Sequence, residues 1–367
     1  MQSRVIMLVD LDYFFAQCEE LRNPTLKDKP LVVGVYSGRT EDSGAVSTAN
    51  YIARKFGVKS GLPLYLAKKR LEGTEAVFLP VDNEFYEQIS NKIMQTLRGY
   101  ADAFEQVGID EAYLDVTQKV NGSFDAAKAL AQKMKNEIKN KISITFSVGI
   151  GPNKLVAKIA ADRQKPDGLT IVKPEDVKSF LSPLPVDHLI GVGRKTSAKM
   201  GELGIKTIDD LAKYDVQKLV DIFGKKLGIY FHNAANGIDN EPVQEAGEAE
   251  SISRISTLKE DTRDLARILE KTDKLIEDIH REAVQRRVSF RQVGVIAVMT
   301  DLSARSRSQT LETATNDIEV LKRAAQELFE KLLSKSELEI RRVGVKISHF
   351  TKEEAKQKQL TVFFKGN

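Results

Sequence analysis

Apolar residues fall along this chain in blocks whose spacing separates strands from helices. Val5–Asp12 is an apolar run ending in two acids and predicts a buried strand; Phe14–Leu21 predicts a helix and Pro30–Tyr36 a second strand. After a polar turn, Ser37–Ser43, come Gly44-Ala45-Val46-Ser47, a helix over Ala49–Phe56 and a short helix over Leu62–Leu71. Ala76–Pro80 reads as a strand and Asn83–Tyr100 as a long helix. Phe104–Gly108 and Ala112–Val116 read as strands flanking Ile109-Asp110-Glu111. Phe124–Asn140 is helical, Ser143–Ile150 alternates like a strand, and Asn153–Asp162 is helical again. Strands mixed with helices, some directly consecutive, predict an α+β sheet domain rather than a doubly wound one.

Residues 175–237 change character to short helices with glycine turns. Asn240–Ser253, acidic and poor in bulky apolar residues, reads as a linker. Beyond it the order is strand (Ile252–Leu258), helix (Asp264–Arg286), strand (Gln292–Thr300), strand (Arg305–Thr310), helix (Asp317–Ser334) and strand (Arg342–Ser348), a β-α-β-β-α-β unit. A polar tail starts at Thr351.

The 367 residues carry 56 basic and 52 acidic side chains, a net charge of +4. Residues 251–367 hold 23 of the basic and 18 of the acidic ones, so a C-terminal third of net +5 follows a nearly neutral remainder of −1. That asymmetry is a mild pointer to a polyanion. No apolar run approaches the length of a membrane helix. The single cysteine, Cys18, excludes an internal disulfide framework and predicts a reducing, cytoplasmic compartment. Four scattered histidines offer no metal site, so any metal must be held by carboxylates.

Asp10 and Asp12, at i and i+2, share one face of a strand. Asp110 and Glu111 stand at the tip of the candidate hairpin. Carboxylates of this kind suit Mg²⁺, which takes oxygen ligands and shares them with phosphates. The alternative is that Asp12 caps the helix after it and the others are solvated turn acids.

Three stretches go further. Val9-Asp10-Leu11-Asp12-Tyr13-Phe14-Phe15-Ala16, Ser43-Gly44-Ala45-Val46-Ser47-Thr48-Ala49-Asn50-Tyr51-Ile52-Ala53-Arg54 and Ile109-Asp110-Glu111-Ala112-Tyr113-Leu114-Asp115 occur in this order. Together they resemble the opening, fingers and second acidic motifs of the Y-family DNA polymerases. Residues 1 to about 350 are similar to the DinB-like (DNA polymerase IV) branch, in its archaeal style. The resemblance implies a right-hand polymerase: palm at 1–11 and 77–174, fingers at 12–76, thumb at 175–237, linker at 238–251, little finger at 252–350, and a tail at 351–367. It implies two Mg²⁺ ions, with Mn²⁺ as a substitute, held by Asp10, Asp110, Glu111 and the Leu11 carbonyl, with Glu111 catalytic. It makes Phe15 the steric gate against a 2′-hydroxyl; the alternative is a core phenylalanine. Phe14, Phe15, Thr48, Tyr51, Arg54 and Lys165 would contact the nucleotide. Two departures stand out: Gly108 replaces the usual serine, and the linker is acidic where relatives often have a basic one.

Leu189-Ile190-Gly191-Val192-Gly193-Arg194-Lys195-Thr196 reads as helix, Gly-x-Gly turn and helix start. This helix-hairpin-helix pattern lets backbone N–H groups meet a phosphate, and Gly191, Gly193, Arg194 and Lys195 are the candidate DNA contacts. A plain helix–helix turn is the alternative. Arg254, Arg305, Arg307 and Arg341 fall on strand-like segments and would share one sheet face against the DNA backbone; solvated surface cations are the alternative.

The reading is template-directed, low-fidelity translesion synthesis by a monomer on primer–template DNA and dNTP, with no room for a proofreading exonuclease. A nucleotidyl cyclase-like two-metal enzyme needs neither helix-hairpin-helix nor basic terminal domain. A non-catalytic DNA-binding relative would be expected to lose the acids. Gln357-Lys358-Gln359-Leu360-Thr361-Val362-Phe363-Phe364 resembles the motif that binds a PCNA-type sliding clamp, with Gln357, Leu360, Phe363 and Phe364 as its contacts. A last strand packed on the C-terminal domain is the alternative.

Overall fold

A computed structural model describes residues 4–245, 247 and 249–352. The chain divides into two compact units, residues 1–35 with 45–246, and residues 36–44 with 247–367. In chain order the first part runs β1 (Ile6–Leu11), α1 (Phe14–Arg22), β2 (Leu31–Tyr36), β3 (Gly44–Ala49), α2 (Tyr51–Lys55), α3 (Leu64–Arg70), β4 (Val77–Pro80), α4 (Asn83–Arg98), β5 (Ala103–Gln106), β6 (Glu111–Asp115), α5 (Phe124–Ile142), β7 (Phe146–Gly151), α6 (Lys154–Ala161) and β8 (Leu169–Ile171). Five strands form one sheet in the order β5-β6-β1-β7-β8, and three form another, β3-β2-β4.

The central strand explains the site. Val5, Met7, Val9 and Leu11 pack with Tyr86, Ile93, Met94 and Leu97 of α4 and with Ala131, Met134 and Ile138 of α5. Ile6 and Leu8 pack on the other face with Ala157 and Ala161 of α6. Period-two alternation therefore puts Asp10 on the α6 face. Glycine sets how close α6 lies. A Cβ on Gly149 of β7 would stand 2.0 Å from the Ala157 carbonyl oxygen and 2.3 Å from the Ala161 nitrogen. Only a bare backbone at 149 admits the helix at that depth. Asn153 starts it by accepting the Val156 N–H at 2.9 Å.

Five short helices follow: α7 (Val177–Leu181), α8 (Arg194–Glu202), α9 (Ile208–Lys213), α10 (Val216–Phe223) and α11 (Lys225–Ala235). Their shared core includes Leu181, Leu184, Met200, Ile208, Leu211, Leu219 and Phe231. A capping box joins Thr207 and Asp210 at the start of α9.

The second unit holds β9 (Ser251–Thr262), α12 (Leu265–Gln285), β10 (Val288–Met299), β11 (Ala304–Thr315), α13 (Ile318–Leu333) and β12 (Ile340–Lys352). This is the expected β-α-β-β-α-β order, its sheet running β11-β10-β12-β9 with every pairing antiparallel. Ile268, Ile276 and Ile279 of α12 and Leu321, Leu328 and Phe329 of α13 bury Val293, Val295, Ala297, Val343, Val345 and Ile347. Both helices thus cover one sheet face. Among the described residues no helix is long and apolar enough to cross a membrane.

Three expectations change. Gly44–Ala49 is a strand, and Leu169–Ile171 adds an edge strand; neither shows a helical or alternating apolar pattern long enough to reveal it. The segment read as a free linker is tied down in its first half. Arg4 donates to the carbonyls of Asp239 and Glu241, and Val243 joins the cluster of Ile6, Leu8 and Tyr113. Third, Asp12 is not a helix cap: α1 starts after Tyr13 without any side-chain cap.

Candidate active site

Asp10 and Glu111 face one another directly across the antiparallel β1–β6 pair, so their side chains share the α6 face. The residue before β6, Asp110, is fixed through its carbonyl, which accepts the Leu11 N–H at 2.8 Å. A tight hairpin end holds it: Val107 and Gly108 both donate to the Glu111 carbonyl, and Gln106 Nε2 donates to the Gly108 carbonyl at 3.0 Å. A Cβ on Gly108 would lie 3.3 Å from Asp110 Oδ1. The departure from serine therefore leaves room for that carboxylate to lean over the turn.

Two ammonium groups stand among these acids. Lys158 Nζ lies 2.9 Å from Glu111 Oε1 and 3.2 Å from Asp10 Oδ2. Lys165 Nζ lies 2.6 Å from Asp10 Oδ2 and 2.9 Å from Asp162 Oδ1. Burial, then the charge of Asp10, holds the Asp110 carboxyl above its ordinary value. Burial also raises Glu111, with Asp10 and Asp110 adding to the rise and Lys158 opposing it. For Lys158, burial works against the charge, but Asp10 and Glu111 reverse this and hold the ammonium above its usual range. Carboxylates strained by mutual repulsion form a hard-oxygen donor set that suits a divalent cation. Among the described residues, though, no three acidic, histidine or cysteine side chains are gathered closely enough to ligate one ion.

The other expected contacts surround this cluster. Tyr51 stands edge-on to Tyr13 at 5.3 Å between ring centroids, and the Arg54 guanidinium lies over the Tyr51 ring at 4.7 Å. Arg54 Nε donates to the Ala49 carbonyl at 2.8 Å, which leaves the rest of the guanidinium to reach outward. Burial raises the Tyr51 hydroxyl, and the charges of Asp10, Asp12 and Lys165 all reach it. Thr48 is half-buried on β3. Phe15 is half-buried and stacks on Tyr86 at 4.4 Å. Phe14 is only 2% exposed and belongs to the core. Its ring is thus turned away from any nucleotide, leaving its backbone N–H in the first turn of α1 as the group to offer.

The expected DNA contacts divide. Gly191 has φ of +83° and Gly193 precedes α8, with Arg194 and Lys195 exposed in its first turn. The element before the turn is a single 3-10 turn, Val186–His188, rather than an α-helix. Arg254, Arg305 and Arg307 do share a sheet face, but it is the helix-covered one. They stand opposite Val345, Ala297 and Val295 on the two edge strands. Arg254 pairs with Glu282 of α12 at 2.5 Å, and Arg305 donates to the Lys335 carbonyl at 3.4 Å. Arg341 sits at a register shift, 3.9 Å from Asp261. Arg342 and Lys346 are cations on the open face, and sequence reasoning missed them. Gln357, Leu360, Phe363 and Phe364 lie outside the described residues.

Lys158 was missed as well. Its signal was available: it is the one charged residue within Leu155–Ala161.

Comparison with known proteins bears on all of this. The impB/mucB/samB family model matches residues 9–162, that family's C-terminal domain matches 249–362, and a DNA polymerase-iota thumb domain matches 187–239. A DNA polymerase IV from Nitrosopumilus maritimus is 44% identical over 99% of this chain and 100% of its own length. One from Methanosarcina acetivorans is 45% identical over 96% and 98%. Among solved structures, a Y-family DNA polymerase chimera of Dbh and Dpo4 is similar with a TM-score of 0.90 at 40% identity, covering 95% of this chain and 99% of its own. The insertion ternary complex of Dbh DNA polymerase is similar with a TM-score of 0.68 at 39% identity and the same coverage. Full-length identity at this level, joined to the paired acids of β1 and β6, shows that the chain belongs to the Y-family DNA polymerases, in the archaeal DNA polymerase IV branch.

Proposed function

We propose that this enzyme, a DNA-directed DNA polymerase of low fidelity, runs its reaction on the α6 face of β1 and β6. The observation that carries the reading is the facing pair Asp10 and Glu111, with Asp110 beside it and Lys158 and Lys165 between the carboxylates. The family depends on divalent metal. Here Asp10, Asp110, Glu111 and the Leu11 carbonyl would hold two Mg²⁺ ions, or Mn²⁺, which supply Lewis-acid charge for the attacking and leaving oxygens. Tyr51, Arg54 and Lys165, with the first-turn N–H groups of α1, receive the triphosphate. Phe15 lies under the deoxyribose. The primer 3′-hydroxyl attacks the α-phosphate of the dNTP, and pyrophosphate leaves.

The helical segment 175–237 serves as thumb and 252–350 as little finger, both gripping primer–template DNA through its phosphates, which carry affinity without sequence information. The working form is a monomer in the cytoplasm, tethered by its tail to a PCNA-type clamp. The test is primer extension on undamaged and abasic templates. Extension of both by the intact chain, and of neither by Asp10→Asn, is the expected result. Extension by Asp10→Asn would remove the site assignment.

A further inference from the structure

Asp12 is 1% exposed, so it cannot touch a substrate. Yet it stands two residues from Asp10 and carries a carboxylate in a position where an apolar side chain would be less costly to bury. Its oxygens account for the choice. Oδ1 accepts the Ser147 hydroxyl at 2.7 Å. Oδ2 accepts the Thr145 hydroxyl at 3.1 Å and the backbone N–H of Asp167 at 2.8 Å. The first two partners belong to β7 or the residue before it; the third belongs to the turn that precedes β8.

That turn is Lys165–Gly168. Asp167 sits in it with φ of +55°, in the left-handed region that a single aspartate can adopt. Gly168 is pressed against Gln164, with room for no Cβ: one would lie 2.2 Å from the Gln164 carbonyl oxygen. From the far side Lys135 Nζ pairs with the Asp167 carboxylate at 2.7 Å and donates to the Gly168 carbonyl at 3.2 Å. The Gly168 N–H reaches Ser147 Oγ at 3.3 Å, closing a ring back to Asp12. Two residues before the held amide, Lys165 projects its ammonium to Asp10.

We propose that Asp12 is a positioning residue for the incoming nucleotide. It clamps the Lys165–Gly168 turn to β7, so that Lys165 meets the triphosphate at the mouth of the acidic cluster. This rests on the reading of Lys165 as a triphosphate contact. The chemistry is untouched by Asp12; what it supplies is the place from which Lys165 acts.

The test is single-nucleotide incorporation under single-turnover conditions by the intact chain, Asp12→Ala, Asp12→Asn, Lys165→Ala and the Asp12→Ala/Lys165→Ala pair. A lost ammonium–phosphate hydrogen bond is worth about ten- to a hundredfold in affinity. Asp12→Ala and Lys165→Ala should each raise the dNTP Kd by that order while primer–template Kd stays within about twofold, and the pair should be no worse than Lys165→Ala alone. Asp12→Asn, which keeps an acceptor for the Asp167 N–H, should recover part of the loss. A merely structural role would instead lower the active fraction and the melting temperature at unchanged Kd, and would overturn the proposal. So would a normal Kd in Asp12→Ala beside a raised one in Lys165→Ala, or full additivity in the pair. A normal Kd in Lys165→Ala would remove the triphosphate reading, and the proposal with it. If Asp12→Ala does not fold, Ser147→Ala removes one of the donors to Asp12 and should raise Kd in the same direction; an unchanged Kd there would count against the clamp.

Discussion

Lys165 Nζ stands 2.6 Å from Asp10 Oδ2: in the protein alone, the cation proposed for the triphosphate is held by the carboxylate proposed for the metal. The two charges neutralise one another. Replacing Asp10 with Asn, or Asp110 with Asn, should remove a carboxylate that the metal needs. Extension should fall on the order of a thousandfold or more. Primer–template affinity should hold, since it comes from phosphate contacts elsewhere. Gel-based extension beside fluorescence anisotropy on labelled DNA separates the two effects.

Asp110 and Glu111 should destabilise the metal-free fold. Asp110 and Glu111 both have carboxyls raised by burial and by neighbouring charge. A raised carboxyl binds more protons folded than unfolded, so stability falls as pH rises from the ordinary carboxylate range through the folded value. Neutral isosteres escape that loss. In EDTA at about pH 7, Asp110→Asn and Glu111→Gln should melt at higher temperature than the intact chain. At a pH below the ordinary carboxylate range the difference should vanish. Differential scanning calorimetry across pH measures it, and a lower melting temperature at neutral pH would contradict the electrostatic picture.

Much of this site was legible in the chain, for a physical reason. Asp10 interrupts an otherwise apolar strand, where an acid must be functional or compensated, and Asp110 and Glu111 stand out as adjacent acids at a hairpin tip. Phe15, Tyr51 and Arg54 were legible only through their motifs, because nothing in their local pattern distinguishes them from packing residues. Lys158 stood out locally as a lone charge in an apolar helix, but its carboxylate partners and the hydrogen bonds of Asp12 depend on approach between distant segments: α6 onto β7, and the 165–168 turn onto the residue after β1. In the second unit, the element order was visible in the period of the apolar residues. The face carrying each arginine was not, since a register set by cross-strand pairing decides it.

Sugar choice should depend on Phe15. Its ring is fixed by stacking on Tyr86 at an interplanar angle of 21°, and Tyr86 is itself fully buried and donates to Glu19 at 2.7 Å. A braced ring cannot swing aside for a 2′-hydroxyl. Phe15→Ala should raise ribonucleotide use roughly 10- to 200-fold relative to deoxyribonucleotide. Single-nucleotide kinetics with the paired substrates measures the ratio; Tyr86→Leu, which loosens the brace, should give a smaller shift in the same direction.

The tail can be tested without reference to its conformation. Leu360, Phe363 and Phe364 have the i, i+3, i+4 spacing of a helical anchor that enters an apolar groove. Tethering raises the effective concentration of a polymerase at its primer. Deleting residues 357–367, or changing Phe363 and Phe364 to Ala, should leave unassisted extension unchanged and abolish stimulation by a PCNA-type clamp. Equal clamp affinity for truncated and intact chains by calorimetry would sink the assignment.

The depth of α6 offers the last test. Gly149 lets backbone meet backbone, and the atoms a Cβ would strike, the Ala157 carbonyl oxygen and the Ala161 nitrogen, cannot rotate away. Gly149→Ala must therefore push α6 outward and carry Lys158 off Glu111 and Asp10. Overpacking of this kind costs about 1–3 kcal/mol, so the melting temperature should drop by several degrees, on the order of 2–4 °C per kcal/mol for a domain of this size. Lys158→Met keeps the stem and removes only the ammonium, so it tests the cation without moving the helix. If Lys158 holds the carboxylates in their working arrangement, Lys158→Met should lower the incorporation rate while the fold melts normally, and Gly149→Ala should lower both. A Gly149→Ala enzyme that melts early but incorporates at the normal rate would show that the acids keep their arrangement without the lysine.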